Sequence, residues 1–104
     1  MVFMATATKQ EAQKIVRSLL GKHFIACANI IGPVNSEFWW QGKIDKAREF
    51  LVLMKSDEKL FEKLSKTVKD IHSYEIPEIL AIPIVRCSAT YLEWSNSTLS
   101  QAER

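Results

Sequence analysis

Apolar positions along the chain follow two spacings, and the change between them predicts where strands give way to helices. An apolar run over residues 2–7 predicts a first strand. The stretch after it places apolar side chains at the three- and four-residue intervals of one helix face: Ala12, Ile15, Val16, Leu19 and Leu20. Thr8, with Glu11 three residues later, has capping-box spacing, and Gly21 predicts a left-handed stop after the last turn.

The longest apolar pattern covers residues 25–54 and predicts one long β-hairpin. Its arms are rich in β-branched and aromatic residues, and Gln41-Gly42-Lys43 between them supplies a turn in which glycine can take a positive φ. Fully extended arms would reach about 40 to 50 Å, whereas a domain of this length has a radius of gyration of about 13 Å. We therefore expect the hairpin to bend at Gly32-Pro33, since proline cannot donate to a ladder, and to pair with another subunit.

The chain after the hairpin predicts a second helix and a further strand. Ser56 can cap this helix, and Pro77 ends it by disfavouring helical geometry at the preceding residue. Its apolar stripe consists of Leu60, Phe61, Leu64, Val68 and Ile71. Residues 79–86 predict a strand, in which Pro83 indicates an edge or a bulge.

The order of these elements is strand, helix, strand, strand, helix, strand, which predicts an α+β fold of the ferredoxin-like, split βαβ type. Ser88 can cap a short C-terminal helix, after which residues 95–104 are polar and expected to fray. Two helices cover only one face of such a sheet. Because the hairpin is apolar on both faces, we expect the open face to meet another subunit.

Length and composition fit one soluble domain over residues 1–104. Hydrophobic residues make up 47% of the chain, yet no apolar run approaches the roughly 20 residues that span a bilayer. The net charge is only +2 and the charges are interspersed, which argues against a nucleic-acid or membrane partner. The first ten residues lack the pattern of a signal peptide, so we expect a cytoplasmic protein.

The two cysteines, Cys27 and Cys87, are sixty positions apart, each in an apolar strand context. This arrangement fits two small buried side chains better than a disulfide framework or a CxxC metal clip. We therefore predict structural roles for both thiols.

Four segments of the chain resemble the CutA divalent-cation tolerance family in their order and spacing. They are ACAN at 26–29, WQGKI at 40–44, HSYEIPE at 72–78 and YLEW at 91–94. The resemblance spans nearly the whole chain and implies a ferredoxin-like protomer related in architecture to the PII signalling proteins. It also implies a homotrimer whose long hairpins pair with neighbouring subunits, and a role in metal tolerance without a catalytic reaction, with copper or another divalent cation as ligand.

His72 is the leading candidate for a metal ligand, because imidazole is the commonest protein ligand for copper and zinc and the residue matches the family's HxYExPE-like motif. A histidine at a helix end can instead hydrogen bond the terminal carbonyls. Glu75 and Glu78 can supply carboxylate oxygens from a cleft between subunits, or pair across the interface. Some bacterial members carry a cysteine and a second histidine where this chain has Ala5 and Ile71, which weakens a copper site built from those positions.

The resemblance also implies a set of residues near the clefts between subunits. We assign to it Cys27, Asn29, Trp39, Trp40, Lys55, Tyr74, Tyr91 and Trp94. The aromatic members can stack on a planar ligand, or serve as core and interface anchors. Lys55 and Asn29 can favour a small anionic ligand such as a carboxylate or a phosphate.

Two other classes of function stay open at this point. A trimeric interaction protein would present its surface to another protein. An enzyme of the acylphosphatase type shares this size and element order, but it needs an arginine and a glycine-rich anion loop, whereas Thr6-Ala7-Thr8-Lys9 follows the first strand here.

A nucleic-acid binder would need exposed aromatic residues on the open sheet face, which a trimer would bury. The residues therefore favour a non-enzymatic binding protein.

Overall fold

A computed structural model describes residues 1–102 of the chain, with Glu103 and Arg104, the end of the stretch expected to fray, outside the described residues. Within this range the chain forms four strands and three α-helices. They are β1 (Val2–Thr6), α1 (Lys9–Gly21), β2 (Cys27–Trp40), β3 (Lys43–Lys55), α2 (Phe61–Ile71), β4 (Ile79–Ala81) and α3 (Ala89–Leu99). This order matches the one that the sequence predicts.

The strands of the described chain form one antiparallel sheet in the order β2-β3-β1-β4. β1 lies between β3 and β4, with Val2 opposite Met54 on one side and opposite Ala81 on the other. The strand order, together with helices α1 and α2 after the first and third strands, confirms the predicted α+β architecture of the ferredoxin-like, PII-like type.

The hydrophobic core lies between one face of the sheet and the two helices α1 and α2. Its fully buried side chains include Met4, Ile15, Leu19, Val52, Met54, Leu64 and Val68. Side chains alternate across a strand, so the neighbours of these residues lie on the other, open face. There Leu51 and Leu53 are half-buried, and Ile31 and Leu80 are 48% and 55% exposed. One face of the sheet is therefore left without a cover in a single subunit.

β2 and β3 form the predicted long hairpin, and its register shifts at the predicted bend. Ile31 pairs with Leu51, but the next pair is Val34 with Glu49, so Gly32-Pro33 forms a bulge in β2. At the far end Gln41 and Gly42, with φ of 50° and 79°, make a two-residue turn. The hairpin lengthens the molecule, which measures 44 × 27 × 22 Å.

Helix α1 begins as predicted but ends differently. The backbone N–H of Glu11 donates to Thr8 Oγ1 at 3.1 Å, which is one of the two bonds of a capping box, but the Glu11 side chain accepts the N–H of Ala7 and not that of Thr8. The left-handed stop predicted at Gly21 is wrong, because the backbone stays in the right-handed helical region through Lys22. The left-handed residue is His23, with a φ of 59°.

Ser56 does not cap α2, contrary to the prediction. Its hydroxyl donates to the Phe24 carbonyl at 2.6 Å and so ties the end of β3 to the loop before β2. A 3-10 turn over Glu58–Leu60 precedes α2, and Asp57 caps it by accepting the Lys59 N–H at 2.9 Å. The next residue along the chain therefore supplies the cap.

Strand β4 is shorter than the predicted strand over residues 79–86. It ends at Ala81, and the Ile82 N–H still donates to the Met1 carbonyl at 2.8 Å. Pro83 then interrupts the ladder, because it has no N–H to donate. Residues 82–88 have no regular secondary structure and are exposed.

Helix α3 is longer than predicted. Ser88 caps it as expected, but residues 95–99, which the sequence suggested would fray, continue the helix. Leu99 is buried, and the His23 ring nitrogen Nδ1 lies 3.1 Å from Thr98 Oγ1. These contacts hold the last turns of α3 against the end of α1.

Candidate functional site

His72 follows α2 and is buried, with 8% of its surface exposed. Its Nε2 lies 2.7 Å from the Ala5 carbonyl oxygen, and its Nδ1 accepts the Tyr74 backbone N–H at 3.0 Å. A carbonyl can only accept and an amide can only donate, so these partners assign the neutral tautomer with the proton on Nε2. The ring thus connects β1 to the segment that follows α2.

These two bonds occupy both ring nitrogens of His72. A metal ion could bind Nδ1 only by replacing the Tyr74 amide. Within residues 1–102, no group of three or more His, Cys, Asp or Glu side chains is placed to hold a metal ion. The other two predicted ligands, Glu75 and Glu78, are exposed on the segment between α2 and β4. Within one subunit, the contacts of His72 are those of a structural residue.

Tyr74 and Glu49 form a hydrogen-bonded pair beside His72. Tyr74 Oη donates to Glu49 Oε2 at 2.8 Å, and the centroids of the Tyr74 and His72 rings are 4.8 Å apart. Glu49 is only 7% exposed, and a carboxylate this deeply buried normally has a close partner, which here is the Tyr74 hydroxyl. Burial, then the hydrogen bond and charge of Glu49, and last the charge of Glu11, raise the pKa of Tyr74 above its ordinary value.

Glu11 joins α1 to the same place through both carboxylate oxygens. Oε2 accepts the Ser73 N–H at 2.7 Å, and Oε1 accepts the Ala7 N–H at 3.4 Å. Burial acts to raise the pKa of this carboxyl group, but the hydrogen bonds that it accepts from Ser73 and from the Ala7 amide lower the pKa overall. The capping residue of α1 therefore also holds the chain that leaves α2.

We call His72, Tyr74, Glu49 and Glu11 the polar cluster. The sequence selected His72 and Tyr74 but missed Glu11 and Glu49. Glu49 was signalled only as a single carboxylate directly before the apolar run of β3, and Glu11 was explained as a capping residue alone. The polar cluster has a structural role, because its hydrogen bonds tie the segment after α2 to β1, to α1 and to the middle of β3.

Replacement of Tyr74 by phenylalanine tests the bond to Glu49. We expect Tyr74→Phe to lower the free energy of unfolding by about 2 kcal/mol at neutral pH, since a buried carboxylate loses its partner. The pKa of Tyr74 is higher in the folded chain than in the unfolded one, so the contribution of this group is complete below about pH 10 and is lost as the pH rises through the folded-state pKa. Urea unfolding at a series of pH values measures this. The difference between the two proteins is expected to shrink above about pH 10, and parallel pH curves would contradict the pair.

A second group of predicted site residues surrounds the start of β2. Cys27 is paired with Lys55 in the β2–β3 ladder, and the Lys55 ammonium donates to Asn29 Oδ1. Burial, followed by the neighbouring thiols of Cys27 and Cys87, raises the pKa of the Tyr91 hydroxyl. We call Cys27, Cys87 and Tyr91 the thiol cluster.

A groove of about 900 Å³ opens beside the thiol cluster. Its lining includes Lys55, Cys87 and Tyr91 together with apolar side chains of residues 82–85. The Trp94 ring lies 5.4 Å from the Tyr91 ring. Cys27 is half-buried but Cys87 is exposed, so the prediction of two buried structural cysteines is wrong for Cys87, which lies outside β4.

Trp39 and Trp40 lie at the far end of the hairpin, next to its turn. Trp39 is 72% exposed. Glu49 is six residues from the turn-flanking Lys43 along β3, which corresponds to about 20 Å of extended strand. Within one chain, the hairpin tip and the polar cluster are therefore too far apart to line the same cleft.

Comparison with known proteins gives relatives over nearly the full chain. The sequence profile of the family described as "CutA1 divalent ion tolerance protein" matches residues 1–98. "Divalent-cation tolerance protein CutA" of Archaeoglobus fulgidus is 39% identical over 98 residues, which are 94% of this chain and 95% of that protein. "Protein CutA 1, chloroplastic" of Oryza sativa subsp. japonica is 35% identical over 93% of this chain, and this chain spans only 55% of its length.

Solved structures agree with these sequence matches. The Archaeoglobus fulgidus structure superposes with a TM-score of 0.91 over 94% of this chain and 95% of that chain, at 39% identity. The divalent cation tolerance protein of Thermus thermophilus has a TM-score of 0.87 at 34% identity, over 89% of this chain and 90% of that one. Fold and sequence thus point to the same relatives.

The same relatives overturn the expected cytoplasmic location. The Archaeoglobus fulgidus structure is described as that of a periplasmic protein, and the rice relative is chloroplastic. The first ten residues of this chain therefore do not assign it to the cytoplasm. In the part of the chain that the structure describes, no helix is long and apolar enough to cross a membrane.

Proposed function

The chain belongs to the CutA1 divalent ion tolerance protein family, and from this premise we propose that it is a non-enzymatic homotrimer that binds a divalent cation and takes part in the tolerance of metal ions. Copper(II) is the first candidate for the cation. The observation that carries the proposal is the family match over residues 1–98. Exposed apolar surfaces and a pair of carboxylates in the structure support it.

The trimer is supported by large apolar side chains that one subunit leaves exposed. They lie on the open sheet face, at the hairpin tip and along residues 82–85, and include Ile31, Phe38, Trp39, Trp40, Ile44, Leu80, Ile82, Ile84 and Val85. Extended apolar surface on a soluble protein marks interaction sites. β2 and β4 are also the two edges of the sheet in the described chain, and such edges can pair with another chain.

The cation site is supported by Glu75 and Glu78, two exposed carboxylates three positions apart. Two carboxylates of one subunit do not complete a site, because divalent cations usually take about four or more ligands. The proposed site therefore lies where the segment from His72 to Glu78 meets a neighbouring subunit. His72 adds a ligand there only if its Nδ1 gives up the Tyr74 amide.

Absence of catalysis is supported by the chemistry of the turn between β1 and α1, where an acylphosphatase would hold its phosphoryl group. The Thr6 hydroxyl donates to the Thr8 carbonyl at 2.8 Å, and the Thr8 hydroxyl accepts the Glu11 amide. Both hydroxyls are therefore engaged in hydrogen bonds at the start of α1. Measurable hydrolysis of an acyl phosphate would overturn this part of the proposal.

A finer version of the proposal is PII-like sensing of a small anion at the groove. The Lys55 ammonium lies at its edge and is held by Asn29, and Arg86 also lines it. These two cations favour a carboxylate or phosphate ligand against the carboxylates of Asp57, Glu58 and Glu62, which line the same groove, and the Tyr91 ring in the lining offers a stacking surface.

One experiment tests the trimer and the cation together. We expect light scattering to give three times the chain mass, and calorimetric titration with Cu²⁺ to show saturable binding. The protein used is Cys27→Ser/Cys87→Ser, which removes thiolate binding from the titration. In this background, Glu75→Gln/Glu78→Gln is expected to weaken the Cu²⁺ affinity at least about tenfold, or 1.4 kcal/mol. The matched control is Glu62→Gln, which removes one carboxylate at an exposed position of α2 and is expected to leave the affinity unchanged.

The link between assembly and binding is tested at the hairpin tip. Trp40→Asp places a charge among apolar side chains and is expected to lower the mass and the Cu²⁺ binding together, with the protomer still folded by circular dichroism. Gln10→Asp adds the same charge on the exposed first turn of α1 and is expected to change neither. A stable wild-type monomer would overturn the trimer, and absence of saturable binding would overturn the cation site. Binding unchanged by His72→Asn would remove His72 from the ligand set.

A further inference from the structure

The Glu49 carboxylate is buried, yet only one of its two oxygens has a partner. The residue is 7% exposed, and its Oε2 accepts the Tyr74 hydroxyl at 2.8 Å. Within residues 1–102, no cation and no second donor bonds this carboxylate. A buried carboxylate normally pairs with a positive charge, whereas a hydroxyl donates a hydrogen bond without neutralising the charge. The single chain therefore leaves the charge of Glu49 without a counter-ion.

The register of β3 places Glu49 on the open face of the sheet. Side chains alternate along a strand, so Glu49 shares this face with Leu51. The extra residue of the bulge is in β2, and the alternation along β3 therefore continues unbroken to the turn. Lys43 projects from the face of Glu49, whereas Lys46 and Arg48 project from the other face. In the outer half of the hairpin, residues 34–49, Lys43 is thus the one cation on the open face.

Lys43 carries its charge at the far end of the hairpin. Its side chain is exposed, and in the described part of the chain it forms no ion pair, even with Asp45 two positions along the same face. It lies opposite Trp40 in the ladder, so an ammonium group and an indole ring project together. Six residues of extended strand separate Lys43 from Glu49 by about 20 Å. Lys43 can therefore reach Glu49 only from a second copy of the chain.

Two complementary groups at different places on one chain suit a ring of copies. In a head-to-tail contact, one patch of a subunit meets a different patch of the next, and the contact repeats until the ring closes. The hairpin tip of each copy then meets the polar cluster of the next. Three copies give three identical contacts, and every Glu49 has one Lys43.

We propose that the hairpin of each subunit places Lys43 against Glu49 of the next subunit, where the ammonium forms an ion pair with the carboxylate oxygen that Tyr74 leaves unused. Trp40, beside Lys43, is brought to the Tyr74 ring and excludes water from the pair. A charge pair shielded from water contributes more to an interface than an exposed pair, and its loss speeds dissociation. The inference rests on the proposed trimer and does not require a bound metal ion.

Exchange of subunits between trimers tests this ion pair. Unlabelled and isotopically labelled proteins are mixed, and native mass spectrometry follows the appearance of mixed trimers. We expect Lys43→Met to exchange subunits at least about tenfold faster than the wild type, because a buried carboxylate loses its cation. Glu49→Gln keeps an acceptor for the Tyr74 hydroxyl but removes the charge, and it is expected to act similarly. The double variant is expected to be no faster than the faster single variant, since both changes remove the same pair.

Three further variants provide the controls. Lys46→Met removes an exposed lysine from the other face of β3 and is expected to leave the exchange rate unchanged. Lys43→Arg keeps the positive charge and is expected to retain slow exchange. Lys43→Glu opposes two carboxylates and is expected to exchange faster than Lys43→Met, but only while Glu49 is present. Circular dichroism checks that each protomer is folded, and if Glu49→Gln unfolds, the comparison of Lys43→Met, Lys43→Arg and Lys46→Met decides the proposal.

Two results would overturn the ion pair in an intact trimer. Equal exchange rates for Lys43→Met and Lys46→Met would show that Lys43 lies outside the contact. Rate increases that multiply in the double variant would show that Lys43 and Glu49 act at separate places. A wild-type monomer would instead overturn the proposed trimer itself.

Discussion

The substitution Gly32→Ala is expected to lower the free energy of unfolding by about 3 kcal/mol. A Cβ atom at Gly32 would lie 2.7 Å from Phe50 Cδ2, 3.1 Å from the Glu49 carbonyl oxygen and 3.2 Å from Phe50 Cα. Two of these three atoms belong to the backbone of β3, which cannot move without breaking the ladder. The φ of 157° at Gly32 adds to the cost, because L side chains rarely adopt it.

Urea unfolding at one fixed protein concentration measures this effect, since assembly would couple stability to concentration. Gly21→Ala is the matched control, because no atom lies within 4 Å of the added Cβ and alanine favours a helix by about 0.5 to 1 kcal/mol. Gly42→Ala also enters open space, but its φ of 79° is expected to cost about 1 kcal/mol. A Gly32→Ala protein as stable as Gly21→Ala would refute the close approach of the two strands.

The substitution His72→Ala is expected to destabilise the chain by about 3 kcal/mol. It empties the volume of a buried ring and leaves the Ala5 carbonyl and the Tyr74 amide without their partners. The same urea series measures it. Because the predicted loss of stability does not require a bound metal ion, a metal chelator is added to every sample of the series.

Two conservative variants separate the two hydrogen bonds. Asparagine at position 72 places an acceptor near Nδ1 and can keep the Tyr74 amide, whereas glutamine places a donor near Nε2 and can keep the Ala5 carbonyl. Each is therefore expected to recover roughly 1 kcal/mol relative to His72→Ala. If all three variants are as stable as the wild type in chelator, His72 has no structural role.

Elements whose signals are local were predicted from the sequence. Thr8 caps α1 by a bond to Glu11 only three residues away, and Gln41-Gly42 supplies the positive φ that a two-residue turn needs. The bulge was predicted for the same reason, since Gly32-Pro33 carries its own backbone preference. Together these signals determine the order of strands and helices and hence the fold class.

Boundaries set by distant contacts were not predicted. Ser56 has the properties of a helix cap, but the Phe24 carbonyl, 32 residues earlier in the chain, takes its hydroxyl. The apolar run over residues 79–86 resembles a strand, yet Pro83 interrupts the ladder and leaves most of the run exposed. The hydrophobic pattern of a sequence shows which residues are apolar, but it does not show which other elements pack against them.

The candidate site was predicted only in part, for a related reason. The HSYE segment directed attention to His72 and Tyr74, but their environment is made by Glu49, 25 residues before Tyr74, and Glu11, 62 residues before Ser73. Nothing in the spacing of single carboxylates signals such pairs. Metal ligation by His72, Glu75 and Glu78 and the assembly into trimers stay predictions, which the experiments above address.

The bulge in β2 has a consequence for how the hairpin can change in length. From Ile31 to Val34, β2 advances three residues while β3 advances two from Leu51 to Glu49. Compared with a strand without the bulge, every β2 residue from Val34 to the turn therefore has its side chain on the opposite face of the sheet. Trp39 pairs with Ile44 as a result. A single insertion or deletion in the outer part of β2 would exchange the faces of Trp39 and Trp40. Natural or engineered changes in hairpin length that preserve its surfaces must therefore come in steps of two residues on each arm.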